Sequence, residues 1–158
     1  MSKVVLITGA SSGFGRSIAE KLSNHDFIVY GTSRNPKEIE GKYKLLKLDI
    51  TEYQDAERIT DYLIDKHGKI DILINNAGIS ITGPVESSDM SEIKRLYETN
   101  FFGQINLIQK IVPHMRNNMS GLIINITSIA GYLGLPFQSI YCASKSSLNL
   151  LGESLNME

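Results

Sequence analysis

The sequence contains a single cysteine and no surplus of charge of either sign. Cys142 stands alone among 158 residues, so it has no partner for an internal disulfide, and this usage fits a reducing cytoplasm. Sixteen Lys and Arg against seventeen Asp and Glu leave a formal net charge of −1. A chain so close to neutral offers no basic surface to nucleic acid or to an acidic membrane. We therefore expect neither of these as a partner.

Long hydrophobic runs are missing as well. No apolar stretch approaches the roughly 20 residues of a membrane-spanning helix, and the first strand pattern starts so early that we expect no signal peptide. His25, His67 and His114 show no metal-ligand spacing, so we expect no metal site. There is no internal repeat, low-complexity segment or linker. The length then predicts one domain, residues 1–158.

Apolar runs alternate with helical patterns along the chain. We predict strands near residues 3–8, 27–32, 43–48, 70–75 and 121–126, and helices near 14–24, 52–67, 89–118 and 139–157. Several strands are nearly continuous apolar runs, as expected when both faces of a sheet are covered. Thr51 and Gln54 match a capping box, and Gly68 is expected to end the second helix. This alternation predicts an α/β fold with a doubly wound parallel sheet.

A glycine-rich segment follows the first apolar run. Thr8 and Gly9 are followed by Gly13 and Gly15, and a helical pattern begins immediately afterwards. Strand, turn and helix in this order bring backbone N–H groups and the positive end of a helix dipole to one place, which suits a pyrophosphate. Glycine allows the tight turn and the close backbone approach that such a site needs. The alternative is a turn without a ligand.

A second segment carries reactive side chains. Tyr141 and Lys145 are four residues apart, so on a helix they share a face. A phenol exchanges protons poorly at neutral pH, and a neighbouring ammonium favours its ionised form. Ser128, at the end of a predicted strand, is placed to hydrogen-bond the same substrate oxygen. The alternative is a Tyr–Lys pair on a solvated helix.

These motifs together resemble the classical short-chain dehydrogenase/reductase family. The pattern T-G-x-x-x-G-x-G at Thr8–Gly15, the segment Asn75–Gly78, Asn100, and the Ser128, Tyr141 and Lys145 set follow the family's order and spacing over essentially the whole chain. The resemblance implies a Rossmann-like sheet with strand order 3-2-1-4-5. It also implies an oxidoreductase that transfers a hydride between a nicotinamide cofactor and a small carbonyl or secondary alcohol substrate.

The resemblance also assigns roles. It implies catalytic functions for Asn100, Ser128, Tyr141 and Lys145: Tyr141 exchanges the proton, Ser128 orients the substrate oxygen, Lys145 also holds the nicotinamide ribose, and Asn100 supports a water relay to that lysine. Cofactor contacts are expected from Gly9, Ser11, Ser12, Gly13, Phe14, Gly15, Ser33, Arg34, Asp49, Ile50, Asn76, Ala77, Gly78, Tyr141 and Lys145. Without the resemblance, Asn100 would indicate a local backbone interaction, Asp49 helix-start chemistry beside Thr51, and Asn76–Gly78 a plain turn.

Cofactor choice depends on the residues after the second strand. Where NAD enzymes place an acid on the ribose 2′-hydroxyl, this chain has Ser33 and then Arg34. An uncharged residue followed by a guanidinium suits a 2′-phosphate, which favours NADP(H) over NAD(H). The alternative is an arginine that is merely exposed after a strand.

The chain departs from the family at its carboxyl end. Family members continue through two more strands and a segment that covers the substrate, so we expect the sheet to lack those strands. Leu148, Leu151 and Leu155 have helical spacing, and similar enzymes use such a stripe for subunit packing, which predicts a homo-oligomer.

Two other functions stay open from the sequence. One is a non-catalytic remnant that binds nucleotide or pairs with another chain. The other is a dehydratase or epimerase of the extended branch, which keeps Tyr and Lys. The T-G-x-x-G-x-x-G spacing of that branch is absent here, so we rank it last. The sequence does not identify the substrate.

Overall fold

The computed structural model describes residues 2–37 and 43–158 of the chain. Within them, five parallel strands form one sheet with helices on both faces. The strands are β1 Lys3–Ile7, β2 Phe27–Ser33, β3 Lys44–Lys47, β4 Ile72–Asn75 and β5 Leu122–Asn125, and the helices are α1 Gly13–Ser23, α2 Tyr53–His67, α3 Met90–Tyr97, α4 Gly103–Asn117 and α5 Ser139–Leu155. The strand order is β3-β2-β1-β4-β5, and both the order and the parallel pairing were predicted.

Alternate side chains of the strands pack into two apolar layers. On one face, Val5, Ile7 and Val29 pack with Ala19 of α1. On the other face, Val4, Leu6 and Leu73 of the strands pack against side chains of α2 and α4. These helix side chains are Ile59, Leu63, Leu107 and Ile111. Because both faces are covered, the strands are apolar almost throughout. The loops at the carboxyl ends of the strands remain open, and the sequence motifs lie in those loops.

Helix α2 ends as predicted but begins differently. Gly68 has a left-handed backbone with φ 74°, and its N–H donates to the Ile64 carbonyl over 2.7 Å, which closes the helix. The expected capping box is wrong. The helix starts at Tyr53 after Glu52, which makes no side-chain cap, and the Thr51 hydroxyl donates to Asp49 instead. The Thr51 hydroxyl, which the predicted capping box needed, is therefore bonded to the Asp49 carboxylate.

The helix predicted over 89–118 is interrupted. A π-helical segment, Glu98–Phe102, separates α3 from α4, and it contains Asn100. At Gly103, where α4 begins, an added Cβ would collide with the Ile50 carbonyl, so the chain passes close to the loop after β3. Segments of this kind insert one extra residue per turn and often occur at functional sites.

Helix α5 contributes its leucines to the fold itself. Leu148 is buried, and Leu151 and Leu155 pack against the core beneath the sheet. Leu148 is therefore out of reach of a second copy, while Leu151 and Leu155 are partly exposed, and subunit packing through this stripe stays a prediction. Among the described residues, no helix combines the length and apolarity needed to cross a bilayer, and α5 is 17 residues long.

Candidate functional site

The loop after β1 is tied directly to the loop after β4. The buried Thr8 hydroxyl accepts hydrogen bonds from the N–H groups of Asn76 and Ala77, both over 2.9 Å. The Asn76 amide returns two bonds, to the carbonyls of Thr8 over 2.8 Å and of Gly9 over 3.0 Å. The threonine of the first motif and the asparagine of the second thus hold the two loops together.

Glycine is required where these loops meet. Gly9 has φ 66°, and a Cβ there would lie 3.0 Å from the Ala77 Cα. A Cβ on Gly15 would collide with the Asn76 amide and the Gly9 carbonyl. Ser12 precedes α1, and its side chain makes no capping hydrogen bond. The N-terminus of α1 therefore presents backbone N–H groups beside a loop with no side-chain obstruction, which suits an anion.

A cleft with a volume of ≈ 680 Å³ opens above this loop. Most of the predicted cofactor residues line it: Gly9, Ser11, Ser12, Phe14, Ser33, Arg34, Asp49, Ile50, Asn76, Ala77 and Gly78. The remaining four, Gly13, Gly15, Tyr141 and Lys145, are not on its wall. The structure therefore gathers residues from four separate loops around one elongated cavity.

Sequence reasoning missed part of the cleft wall. The additional lining residues are Thr32, Asn35, Leu48, Thr51, Ile79, Arg95 and Thr99. Thr32, Leu48 and Ile79 adjoin residues that were predicted, so the ends of the strands gave a signal for them. Arg95 and Thr99 lie on α3 and the π-helical segment, four residues apart on one helical face, and the sequence pattern does not show that this face lines the cleft.

Two arginines face this cleft from different elements. Arg34 follows β2 and Arg95 lies on α3, and both side chains are exposed. Neither forms an ion pair within residues 2–37 and 43–158. Asp49, also on the wall, accepts bonds from the Thr51 N–H over 3.1 Å and from the Thr51 hydroxyl over 2.8 Å. The helix-start chemistry considered for Asp49 is therefore present, and its carboxylate still borders the cleft.

Asn100 is fully buried and fixes the loop after β4. Its carbonyl oxygen accepts from the Ile79 N–H and its amide donates to the Ile79 carbonyl, each over 2.8 Å. The same amide donates to the Ser144 hydroxyl of α5 over 3.2 Å. The local backbone interaction considered for Asn100 is therefore wrong, because its side chain joins the π-helical segment to a distant loop and to α5.

Lys145 reaches the same place from α5. Its side chain is 5% exposed, and its ammonium donates to the Ile126 carbonyl over 3.0 Å. Burial lowers the pKa of Lys145. A Cβ on Gly78 would lie 3.3 Å from both the Lys145 Nζ and the Asn100 Oδ1, so the ammonium lies next to Gly78, a residue of the cleft wall.

Ser128 and Tyr141 lie on the two elements that flank this lysine. The Ser128 hydroxyl caps a short 3₁₀ turn, Ile129–Gly131, by accepting from the Ala130 N–H over 3.2 Å. That turn packs on α5, since a Cβ on Gly131 would lie 3.1 Å from the Lys145 carbonyl. Tyr141 is half-buried one helical turn before Lys145. Among the described residues, no side-chain hydrogen bond joins Ser128, Tyr141 and Lys145 to one another.

The short chain dehydrogenase family model matches residues 3–158 of the sequence. The chain belongs to the short-chain dehydrogenase family. Its fold supports this directly, because a short-chain dehydrogenase from Streptomyces avermitilis superposes with a TM-score of 0.93 at 34% identity. That alignment covers 98% of this chain and 60% of the other.

Other members of the short-chain dehydrogenase family show the same relationship. The 3-ketodihydrosphingosine reductase of Bacteroides thetaiotaomicron is 43% identical over 156 residues, which cover 99% of this chain and 58% of that protein. The structure of ElxO with NADP bound has a TM-score of 0.91 at 29% identity, over 99% of this chain and 68% of that one. The chain thus spans about three fifths of the length of the curated relative it matches.

Proposed function

We propose that this chain is an NADP(H)-dependent oxidoreductase that transfers a hydride between NADP(H) and a carbonyl or secondary alcohol substrate. The observation that carries the proposal is the position of Lys145. Its buried ammonium lies next to Gly78, on the wall of a cleft that suits a dinucleotide, and Tyr141 precedes it on the same helix. Similarity to a protein named as a ketone reductase, at 43% identity, supports this reaction class.

The residues fit a dinucleotide cofactor. The Gly9–Gly15 loop leaves the space that a Cβ would fill, and the N-terminus of α1 offers N–H groups to a pyrophosphate. Arg34 follows Ser33 at the end of β2, with no carboxylate at the position that would meet a ribose 2′-hydroxyl. The preference for NADP(H) rests on this guanidinium, and NADP-bound relatives of the same fold support it.

Each side chain then has a defined task. When bound, NADPH supplies the hydride that the carbonyl carbon accepts. Tyr141 donates its hydroxyl proton to the carbonyl oxygen as negative charge develops there, and it accepts a proton in the oxidation direction. Ser128 donates a hydrogen bond to the same oxygen. The Lys145 ammonium stabilises the tyrosinate that remains, and Asn100 holds the adjoining loop in place.

The phenol is tested by replacing Tyr141 with Phe. We expect NADPH affinity to be unchanged and ketone reduction to fall by about 10²-fold or more, because the proton donor is lost. NADPH binding is followed by nicotinamide fluorescence, and turnover by NADPH oxidation against a panel of ketones. Tyr53→Phe, on the exposed start of α2, serves as the control and should behave like the unsubstituted chain.

Two outcomes would contradict this proposal. Turnover of Tyr141→Phe at the unsubstituted rate would remove the phenol from the mechanism. NADPH binding without turnover of any ketone or alcohol by the unsubstituted chain would instead favour a protein that binds nucleotide without catalysis.

A further inference from the structure

The loop after β5 and the first part of the loop after β4 carry no charged side chain. Residues 76–85 and residues 127–144, which run from the loop after β5 into the first turns of α5, contain no Asp, Glu, Lys, Arg or His, and the rest of the loop after β4 adds only the acidic Glu86 and Asp89. The loops are joined, because the Gly83 N–H donates to the Phe137 carbonyl over 2.8 Å. Positive charge in the candidate site is therefore confined to the cofactor cleft and to the buried Lys145.

The same loops expose large apolar side chains. Val85, Ile129, Tyr132, Leu133 and Phe137, here called the apolar rim, are each between 55% and 72% exposed. Exposed hydrophobic side chains occur singly on most proteins, but five of them on two joined loops that flank Ser128 and Tyr141 in sequence indicate a binding surface.

Backbone hydrogen bonds make the rim continuous with the reacting groups. The N–H groups of Tyr132 and Leu133 both donate to the Ile129 carbonyl, over 3.0 and 3.1 Å, so this turn folds back onto the residue that follows Ser128. Further along, the Gln138 N–H donates to the Leu135 carbonyl over 3.1 Å, just before α5 and Tyr141. The rim thus extends from Ser128 to the start of the helix that carries Tyr141.

We propose that the substrate is an uncharged ketone or secondary alcohol with a large hydrocarbon body, which lies on the apolar rim while the oxygen meets Ser128 and Tyr141. The inference deepens the proposed function and rests on it. A phosphorylated sugar or a keto acid would place its negative charge against loops that carry no cationic side chain. A long alkyl chain or a fused-ring hydrocarbon, by contrast, gains from removing the rim from water.

Equilibrium binding to the 158-residue chain in the presence of NADP⁺ tests this substrate class. The probes are straight-chain methyl ketones of increasing length, a steroid ketone, and an analogue of the longest ketone that ends in a carboxylate. We expect affinity to rise about two- to fourfold with each added methylene, and the carboxylate analogue to bind about tenfold more weakly or worse. Comparison of the chain and steroid arms shows which hydrocarbon shape the rim accepts.

Substitutions locate the binding. Leu133→Ser combined with Phe137→Ser should abolish the dependence on chain length, while the fold, followed by circular dichroism, is retained because both side chains are exposed. Met119→Ser is the matched control, since Met119 is also exposed but lines the separate groove beside β5. It should leave ketone binding unchanged.

Three results would overturn the inference: affinity that does not depend on chain length, an unchanged length dependence in the double variant, or an equal loss in Met119→Ser. A ketone affinity that falls as the protein concentration rises would also overturn it, because the rim would then be covered by a second copy. These readouts need no turnover. Normal turnover in Tyr141→Phe would therefore defeat the proposed mechanism without deciding what the rim binds.

Discussion

Lys145 is an ammonium that the fold keeps almost out of water. Within the described residues its hydrogen-bond partner is the Ile126 carbonyl, and burial lowers its pKa. A buried charge with one neutral partner costs stability, and the gain must therefore lie in function. The effect of Lys145 on stability can therefore be measured separately from its effect on nucleotide binding and turnover.

Replacing Lys145 with Met should make the chain more stable at neutral pH, because the buried ammonium is removed, while impairing nucleotide binding and turnover. The unfolded chain holds the lysine proton more tightly than the folded one. Stability of the unsubstituted chain therefore rises with pH between the lowered folded pKa and the unfolded value near ~10.4, and the advantage of the variant shrinks over that range. Thermal and urea unfolding across this pH range measures both effects.

The control for this substitution is Lys21→Met, an exposed lysine at the end of α1, which should change stability little at any pH. A Lys145→Met variant that is markedly less stable than the unsubstituted chain at neutral pH would show that the ammonium supports the fold.

Arg34 tests the choice of cofactor. Arg34→Ala should weaken NADPH binding about tenfold or more and NADH binding little, because a charge-assisted hydrogen bond to the 2′-phosphate is worth about 1.5–3 kcal/mol. Fluorescence titration with both nucleotides gives the two affinities. Arg116→Ala, an exposed arginine on α4 away from the cleft, is the control. Equal losses for NADPH and NADH would mean that Arg34 does not distinguish them.

Residues in the loops after strands were predictable from the sequence, and those that a helix brings to the cleft were not. Gly9, Asn76 and Gly78 stand in loops directly after strands, so a strand pattern places them at the carboxyl edge of the sheet. Arg95 and Thr99 are four residues apart, so helical spacing puts them on one face. Helical spacing does not show that this face lines the cleft.

Among the elements, the junction between the π-helical segment and α4 depends on Gln104. Its side chain is fully buried, and its amide donates to the Ala77 carbonyl over 2.8 Å and to the Thr99 carbonyl over 3.3 Å. Both carbonyls belong to residues on the cleft wall. Gln104 therefore holds the loop after β4 against the π-helical segment.

Gln104→Leu should lower the free energy of unfolding by about 1 kcal/mol, because two half-buried carbonyls lose their donor. Weaker binding of NADPH and NADH alike should accompany it, since the loop is shared by both nucleotides. Gln109→Leu, on the exposed side of the same helix, is the matched control and should change neither property. Urea unfolding and nucleotide titration give the two quantities. Unchanged nucleotide affinity in Gln104→Leu would show that Gln104 supports only the core.

The helix pattern was correct wherever one apolar face packs on the sheet, as in α1 and α2. It failed where one helical segment contacts two other parts of the fold. Residues 89–118 keep an apolar periodicity throughout, yet the hydrogen bonds of Asn100 to Ile79 and Ser144 are made from a π-helical turn. The leucines of α5 have the spacing of an interface, and Leu151 and Leu155 pack partly on the core of their own chain. Periodicity shows that a face is apolar without showing what covers it.

Considered as a whole, the sheet has two edge strands, of which β3 carries exposed lysines and β5 carries exposed apolar side chains. In the described part of the chain β5 pairs with β4 alone, and a groove of ≈ 700 Å³ runs beside β5 between α4 and α5. Leu122 and Ile124 of this strand are exposed. A strand edge with free N–H and C=O groups and apolar side chains invites pairing with another strand, and native proteins usually cover or charge such edges.

We therefore expect the 158-residue chain to self-associate through β5. Its mass by light scattering should exceed that of a monomer and grow with concentration, and Ile124→Lys should return it toward the monomer, because a charge on an edge strand opposes pairing. Ile28→Lys is the matched control: Ile28 and Ile124 are each 37% exposed, but β2 is paired on both sides, so this change should leave association intact. NADPH binding is measured in parallel to show that both variants keep the cleft. A monodisperse monomer at every concentration of the unsubstituted chain would mean that the β5 edge is protected from pairing by the fold as it stands.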